Sequence, residues 1–474
     1  MAVQSITSRS ATPAEVQRVD IESCKDPSKS VSVVGGTVRL QYWESILQDT
    51  VRASVIFTDA GNTLPEGDKK VSAVEGLPIT GQEKVTLKFS DNNCNTLEFS
   101  KNKKNNLYVN KVTALSTDND SGERSYELDL VSKEFIENEE SRVNICLAGE
   151  ISESVKSVLK DFLKSEKFEE ENIEDTKQPG GEFTHIGNNK KPFYVMNELA
   201  KKAVSAKNQK EGDSAGYFLW ETSKGFNFKS IDTLLSQKQR KSIIYNETPD
   251  TTSKGIPKGY DIKALALSTD NRINVQKKLQ LGAYSTKSEL FNPFTTEWTT
   301  STIDILSEEG EEKVDNEYLK LAGKNFPSFN KAFNEGKEGT NEKYSRTTFN
   351  FTTTGQLNWG DPKTQISKSK KLNFDYAKIF NQSLMRYNQL YASEITLTLP
   401  GDFSLHAGDT VFVDIPKLES ETKNDKVNKE DGGLYIISDL CHFITSKETY
   451  TKLILIRDSF GRDGSPTKDK TPLC

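Results

Sequence analysis

Tyr391-Ala392-Ser393-Glu394-Ile395-Thr396-Leu397-Thr398-Leu399-Pro400 opens the block from Tyr391 to Arg462, and the fold is read outward from it. Ser393 to Pro400 alternates apolar and polar residues, the period of a half-buried strand. Gly401 to Asp409 (GDFSLHAGD) supplies glycine-bearing turns around one apolar pair. Thr410 to Pro416 alternates again, with Val411, Val413 and Ile415 on one face and Phe412 on the other. After a loop rich in Lys, Glu, Asn and Asp come two more strands, Gly433 to Ser438 and Thr451 to Arg457. Short strands divided by turns specify a compact β-barrel or sandwich. Nothing in the block is arranged for catalysis.

Upstream, alternating runs predict strands at Val31–Val34, Thr37–Trp43, Ile46–Thr58, Val85–Ser90, Asn106–Val112 and Ser125–Val131. The period then changes. Ile151, Val155, Val158, Leu159, Phe162 and Leu163 recur at helical spacing, predicting a helix from Ser152 to Ser165 with Ser152 or Ser154 near its cap. A second helix is expected from Pro192 to Val204, with proline in the first turn where helices tolerate it. Tyr217 to Glu221 and Phe226 to Phe228 read as a hairpin. Strand character returns at Asn274–Tyr284, Leu290–Phe294, Glu297–Ile305 and Arg346–Phe351, and Phe374–Tyr391 reads as a helix with one broad apolar side.

The fold class is therefore α+β and mainly β. An irregular arm spans 1–30, a first β domain 31–150, an α+β middle domain 151–260, and a second β domain with insertions and a helix 261–390. A small C-terminal β-barrel spans 391–462 and a polar tail 463–474. The length, 474 residues, suits about three domains. With 34% hydrophobic and 28% charged residues the chain is polar, implying much loop or surface that a partner covers. A net charge of −6 favours neither nucleic acid nor an anionic membrane surface. No apolar run approaches the roughly 20 residues that span a bilayer, and Met1 to Val19 has no apolar signal core. The five cysteines are scattered, without a Cys-x-x-Cys, so reduced thiols in a cytosolic setting are expected.

No residue set specifies an enzyme, a cofactor or a metal. The three histidines, His185, His406 and His442, lack metal-ligand spacing. His442, beside Cys441, reads as a packed sheet residue, and His406 as a solvent-facing turn residue. Asp402 and Asp409 beside glycines are turn chemistry. Phe218/Trp220 and Phe226/Phe228 read as hairpin core faces, and as stacking platforms in the alternative. The acidic run Glu169–Asp175 is a solvated loop. Lys101–Asn106 lacks the aromatic interleaving of a nucleic-acid patch.

Several stretches together resemble one family. Tyr217 to Asp232 (YFLWETSKGFNFKSID) is similar to the aromatic-strand, Glu-Thr, Gly-Phe hairpin of the central baseplate hub protein of contractile-tailed, T-even-like phages. Leu281-Gly282-Ala283-Tyr284-Ser285 with Asn292-Pro293-Phe294 resembles that family's glycine-tyrosine turn. The block Leu399-Pro400-Gly401, Gly408-Asp409, Asp414-Ile415-Pro416, Gly433 to Ile437, Cys441-His442 and Leu455 to Ser459 resembles its closing part, so the likeness covers Gly216 to Arg462.

The resemblance implies two tail-tube-like antiparallel β domains per chain and a homotrimer whose six such domains form a pseudo-sixfold ring. Such a ring joins a hexameric tail tube to a trimeric central spike or tail lysozyme protein, with baseplate wedge proteins around it. DNA would pass through without specific binding. The expected setting is a virion baseplate assembled in the bacterial cytoplasm. Subunit contacts are expected at Ile436, Leu455, Phe412, Trp220 and Phe228. The alternatives are the hub part of a bacterial injection-system spike, expected to carry a further C-terminal spike domain, and a carbohydrate- or receptor-binding tail protein using Phe218, Trp220 and Trp298. A cell-wall hydrolase lacks its acid pair.

Overall fold

The computed structural model describes residues 12–59, 64–66, 69–77, 79–117, 123–177, 183–207, 215–245, 259–271, 274–292, 296–304, 346–351, 363, 376–415, 431–459 and 464–465. The polar insertion at 308–340, residues 419–430 of the second long loop and most of the tail lie outside the described residues.

The N-terminal part is antiparallel. It contains β1 (Glu15–Glu22), β2 (Thr37–Ser45), β3 (Arg52–Asp59), β4 (Lys84–Ser90), β5 (Thr96–Phe99), β6 (Leu107–Thr117) and β7 (Arg124–Ser132). The pairing order is β2-β3-β7-β6-β4-β1, with β5 on β4. Alternation does the work expected of it: Ala53, Val55 and Phe57 are buried over Leu40, Leu87 and Leu128 in one core. Tyr42 packs on Phe99 with ring centroids 5.0 Å apart. Two expectations change. The segment expected as an irregular arm contains β1, whose Val19 and Ile21 are fully buried against β4, with a register shift between Val16 and Arg18 that interrupts the alternation. The single strand expected over Ile46–Thr58 is a turn followed by β3, because Ile46 N–H donates to the Ser438 carbonyl instead (2.9 Å).

The middle part holds α1 (Lys133–Glu140), β8 (Cys146–Gly149), α2 (Ile151–Ser157), β9 (Phe183–Ile186), α3 (Pro192–Ala200), β10 (Tyr217–Thr222), β11 (Gly225–Ser230) and α4 (Ile231–Ser236). The helix expected over Ser152–Ser165 starts as α2 but widens into a π turn at Val158–Phe162, leaving through Lys164 at φ +49°. Neither serine caps it; Glu150 holds that place without a side-chain bond. Pro192 opens α3 as its fixed φ allows. The β10–β11 hairpin pairs Leu219 with Phe228 and is almost wholly buried.

The next segment comprises β12 (Lys241–Ile244), β13 (Ile262–Lys263), β14 (Ala266–Asn271), α5 (Val275–Leu281), β15 (Ser285–Asn292), β16 (Glu297–Asp304), β17 (Arg346–Phe351) and α6 (Tyr376–Leu390). The strand expected at Asn274–Tyr284 is instead α5. The Asn274 side chain caps it by accepting from Lys277 N–H, and Gly282 ends it at φ +79°. The strand β15 pairs with β16 antiparallel and β17 parallel.

The closing block contributes β18 (Ser393–Pro400), β19 (Thr410–Asp414), β20 (Gly433–Thr445) and β21 (Thr449–Arg457). Its pairings run β19-β20-β21-β18. The segment carrying β13 and β14 joins both edges: β13 pairs with β12, itself on β19, while β14 pairs with β18. Together they surround a core of Ile243, Ile395, Leu397, Val411, Val413, Ile437 and Leu453. The block does not stand alone. The distal half of β20 pairs with β2, Cys441 opposite Trp43 and His442 opposite Tyr42, so N- and C-terminal strands share one sheet. The chain is mainly β.

Candidate functional site

The stretches that carry the family resemblance lie up to some 240 positions apart in sequence, yet they converge on one buried junction. From the β10 strand, the Trp220 indole Nε1–H donates to the Ala407 carbonyl (3.0 Å). Gly408 lies against the indole: a Cβ there would stand 2.5 Å from Trp220 Cζ2. Phe218, Trp220, Ile231, Leu234, Leu390, Ala407, Ile436 and Ile456 form one apolar cluster. Thr410 Oγ1 donates to the Leu234 carbonyl (2.9 Å), tying α4 to the closing block.

Helix α6 brackets the junction from the other side. Arg386 donates to the Ala215 carbonyl (2.7 Å) and pairs with Asp232 (2.6 Å). Tyr387 Oη donates to the Tyr217 carbonyl. Asn388 Nδ2 donates to the Leu281 carbonyl (2.7 Å) and Gln389 Nε2 to that of Ala283 (3.0 Å), which holds the glycine-tyrosine turn. Lys278 donates to the Asn388 carbonyl (2.9 Å); burial lowers its pKa to about 8.

Two buried carboxylates pin the hairpin to the N-terminal sheet. Glu44 accepts from Tyr42 Oη (2.8 Å), Ser223 N–H (2.9 Å) and Ala407 N–H (2.9 Å), with His406 Nδ1 at 3.2 Å. Burial alone would raise its carboxyl; His406 and the backbone donors outweigh this and hold it below the ordinary value. Glu221 accepts from Val51 N–H (3.1 Å) and from Lys167 Nζ (3.3 Å), and Lys167 also meets Glu134 (2.8 Å). Burial raises the Glu221 pKa against the opposing pull of Lys167. Gly225, at φ +117°, lets Phe226 N–H reach the Lys167 carbonyl (2.7 Å); a Cβ would meet that oxygen at 2.3 Å. Chemically these groups are struts. Each carboxylate is consumed by donors of the chain itself.

The residues expected at subunit contacts are all interior. Ile436 and Trp220 belong to the junction cluster, Leu455 to the closing core and Phe228 to the middle core. Phe412 is fully buried, with Gly464 beside its ring. The structure brings two of the five together, Trp220 and Ile436, and all five side chains pack inside their own chain. Phe218 and Trp220 are thereby unavailable as stacking faces, whereas Trp298 is 54% exposed. It adjoins Phe349 (5.4 Å) and through it Phe351 (5.3 Å), both largely exposed.

His406, expected at the surface, is buried because Glu44 draws it inward. His442 sits in the sheet between Tyr42 and Phe403, its Nδ1 on Thr451 Oγ1 (3.0 Å), and burial lowers its pKa to about 4. Asp402 and Asp409 accept from Ser404 and His406 N–H in their turns. Reading the sequence alone missed Glu44, Glu134, Lys167 and Glu221, and also Glu174, which accepts from Ser230 N–H (2.8 Å) and the Ser205 hydroxyl. The only local signal was an acid inside an apolar strand, at Glu44 and Glu221. Among the described residues no group of three or more His, Cys, Asp or Glu is placed to hold a metal ion. No helix among them is long and apolar enough to cross a membrane.

No protein-family profile matches the chain, and no curated protein does. Among solved structures, the chain is similar to a tail protein from Neisseria meningitidis MC58, at 10% identity and TM-score 0.48, covering 96% of this chain and 99% of that one. It is similar to the prophage MuSo2 43 kDa tail protein from Shewanella oneidensis, at 9% identity and TM-score 0.49, covering 94% and 99%. A third likeness, at 8% identity and TM-score 0.41 over 97% and 80%, is to the E. coli c3393 protein. That protein is described as a type VI secretion component structurally similar to T4 bacteriophage tail proteins gp27 and gp5.

Proposed function

We propose that the protein is a structural hub of a contractile phage tail baseplate. In this reading three copies form a ring, with two tube-like β regions per chain giving pseudo-sixfold symmetry. The ring seats a hexameric tail tube on a trimeric spike protein, meets baseplate wedge proteins at its rim, and leaves a channel through which DNA slides. One observation carries it. The hairpin Tyr217–Asp232, the turn at Gly282–Tyr284 and the closing block, which are the stretches resembling the hub family, are the ones that meet around Trp220, Gly408 and α6. They meet as scaffolding: Trp220, Tyr387, Glu44 and Glu221 each bond one part of the chain to another.

The subunit contact then belongs on exposed rather than interior residues. We assign it to the face bearing Trp298, Phe349 and Phe351, because clustered exposed aromatics mark association surfaces. Light scattering of the purified chain tests the reading, with a trimer expected at micromolar concentration and images showing a threefold or pseudo-sixfold ring. A stable monomer at that concentration refutes it. The same aromatics favour one second reading, a glycan-binding tail protein, which a glycan array with specific micromolar hits would support.

A further inference from the structure

The chain is net acidic, yet one concave surface is strongly basic. A cleft of about 650 Å³ opens between the β4–β5–β6 end of the N-terminal sheet and the segment formed by α1 and the π turn. Seven lysines line it, against three acids, Glu134, Asp161 and Glu166. Lys84, Lys101 and Lys104 come from the sheet side, and Lys133, Lys160, Lys164 and Lys167 from the helical side.

Internal pairing accounts for some of this charge. Lys167 is held by Glu134 and Glu221 at the floor. Lys133 and Lys164 share Glu137 (3.2 and 3.1 Å), and Lys104 reaches across to Glu166 (2.9 Å), where both side chains are largely exposed. Among the described residues Lys84, Lys101 and Lys160 form no ion pair. Positive charge thus remains in excess around one groove, with Lys160 only near Glu166 and not paired to it, and a pair that spans the groove is worth little in water and exchanges readily. Folding has no evident use for that arrangement, since like charges converging on a concavity repel. A negative ligand removes the repulsion.

We propose that this cleft binds an acidic, extended segment of a partner polypeptide. The lining favours a peptide over nucleic acid. A single strand needs a row of aromatic stacking platforms, and the cleft offers one ring, the half-buried Tyr108. No arginine fork is present among the lining residues to grip phosphate two-handed. Spaced carboxylates along a peptide suit separate lysine point charges. The proposal goes beyond the hub reading and does not depend on it, because such a groove would serve any assembly partner.

Fluorescence anisotropy on the full chain tests it, using a labelled glutamate–serine peptide, its glutamine–serine counterpart, and a labelled oligothymidylate of equal length. Saturable binding of the acidic peptide alone is expected at low salt, weakening several-fold near ~0.5 M salt as exposed charges are screened. The double variant Lys101→Glu, Lys160→Glu should weaken it at least about tenfold, two exposed charge reversals acting together. Both residues are exposed, so the variant should melt like the parent. Lys447→Glu, an exposed change on a distant turn, should bind as the parent does. No saturable binding at low salt, unchanged binding by the double variant, or tighter binding of the oligothymidylate would each overturn the proposal.

Discussion

Gly408 adopts φ +89° under the Trp220 indole, so both its backbone and its missing side chain are required. Gly408→Ala pushes a methyl into the ring and strains the turn, and should cost about 1–3 kcal/mol by overpacking. A lowered urea midpoint with altered tryptophan emission would register it. His442 offers a pH signature. Its folded pKa, about 4, lies below the ordinary histidine value, because burial disfavours the charged ring. The unfolded chain therefore binds the proton first as pH falls. Stability is complete above about pH 6.5 and declines toward pH 4, by about 3 kcal/mol at most. His185, likewise lowered to about 4 by burial and by Lys202, adds in the same direction. Urea midpoints measured from pH 7.5 to 4.5 should fall, and His442→Phe should flatten part of that fall. An unchanged slope in the variant would remove His442 from the account.

At the scale of elements, the β10–β11 hairpin is held to the β2–β3 turn and to α1 by Glu134, Lys167 and Glu221. Removing one partner of a buried ion cluster leaves uncompensated charge, which typically costs about 3–5 kcal/mol. Lys167→Met leaves two buried carboxylates facing each other. The Glu221 pKa, already raised by burial, rises further without the lysine, so the variant binds a proton in the folded state that the unfolded chain has already released. Its deficit should grow as pH rises from 5 to 8 and shrink in acid, the reverse of the histidine effect. Thermal melts across that range would show it. A deficit independent of pH would mean that packing of the lysine stem, rather than charge, holds the joint.

For the molecule as a whole, interior and exterior apolar residues should separate folding from assembly. Ile436→Glu places a charge at a fully enclosed site and should prevent folding, as should Leu455→Glu. Trp298→Glu alters an exposed ring and should leave a folded chain that sediments as monomer. If Trp298→Glu still forms trimers, the subunit contact lies elsewhere.

Alternation in the sequence determined most strands, since a period of two places Val411, Val413 and Ile415 on one buried face whatever lies around them. It also determined the hairpin at Tyr217–Ser230, α3 and α6, where long apolar patterns leave little choice. Short mixed stretches were not legible locally. Asn274–Tyr284 became a helix because a cap and a terminal glycine settled what periodicity left ambiguous, and β1 gained its burial from β4, which begins 62 positions after β1 ends. The site was the least legible part. Only tertiary structure decided that the block from Tyr391 shares a sheet with β2, that Glu44 draws His406 inside, and that seven lysines face one cleft. Hydrogen-bond partners and charge neighbours 170 to 360 positions apart leave no periodic trace in the chain.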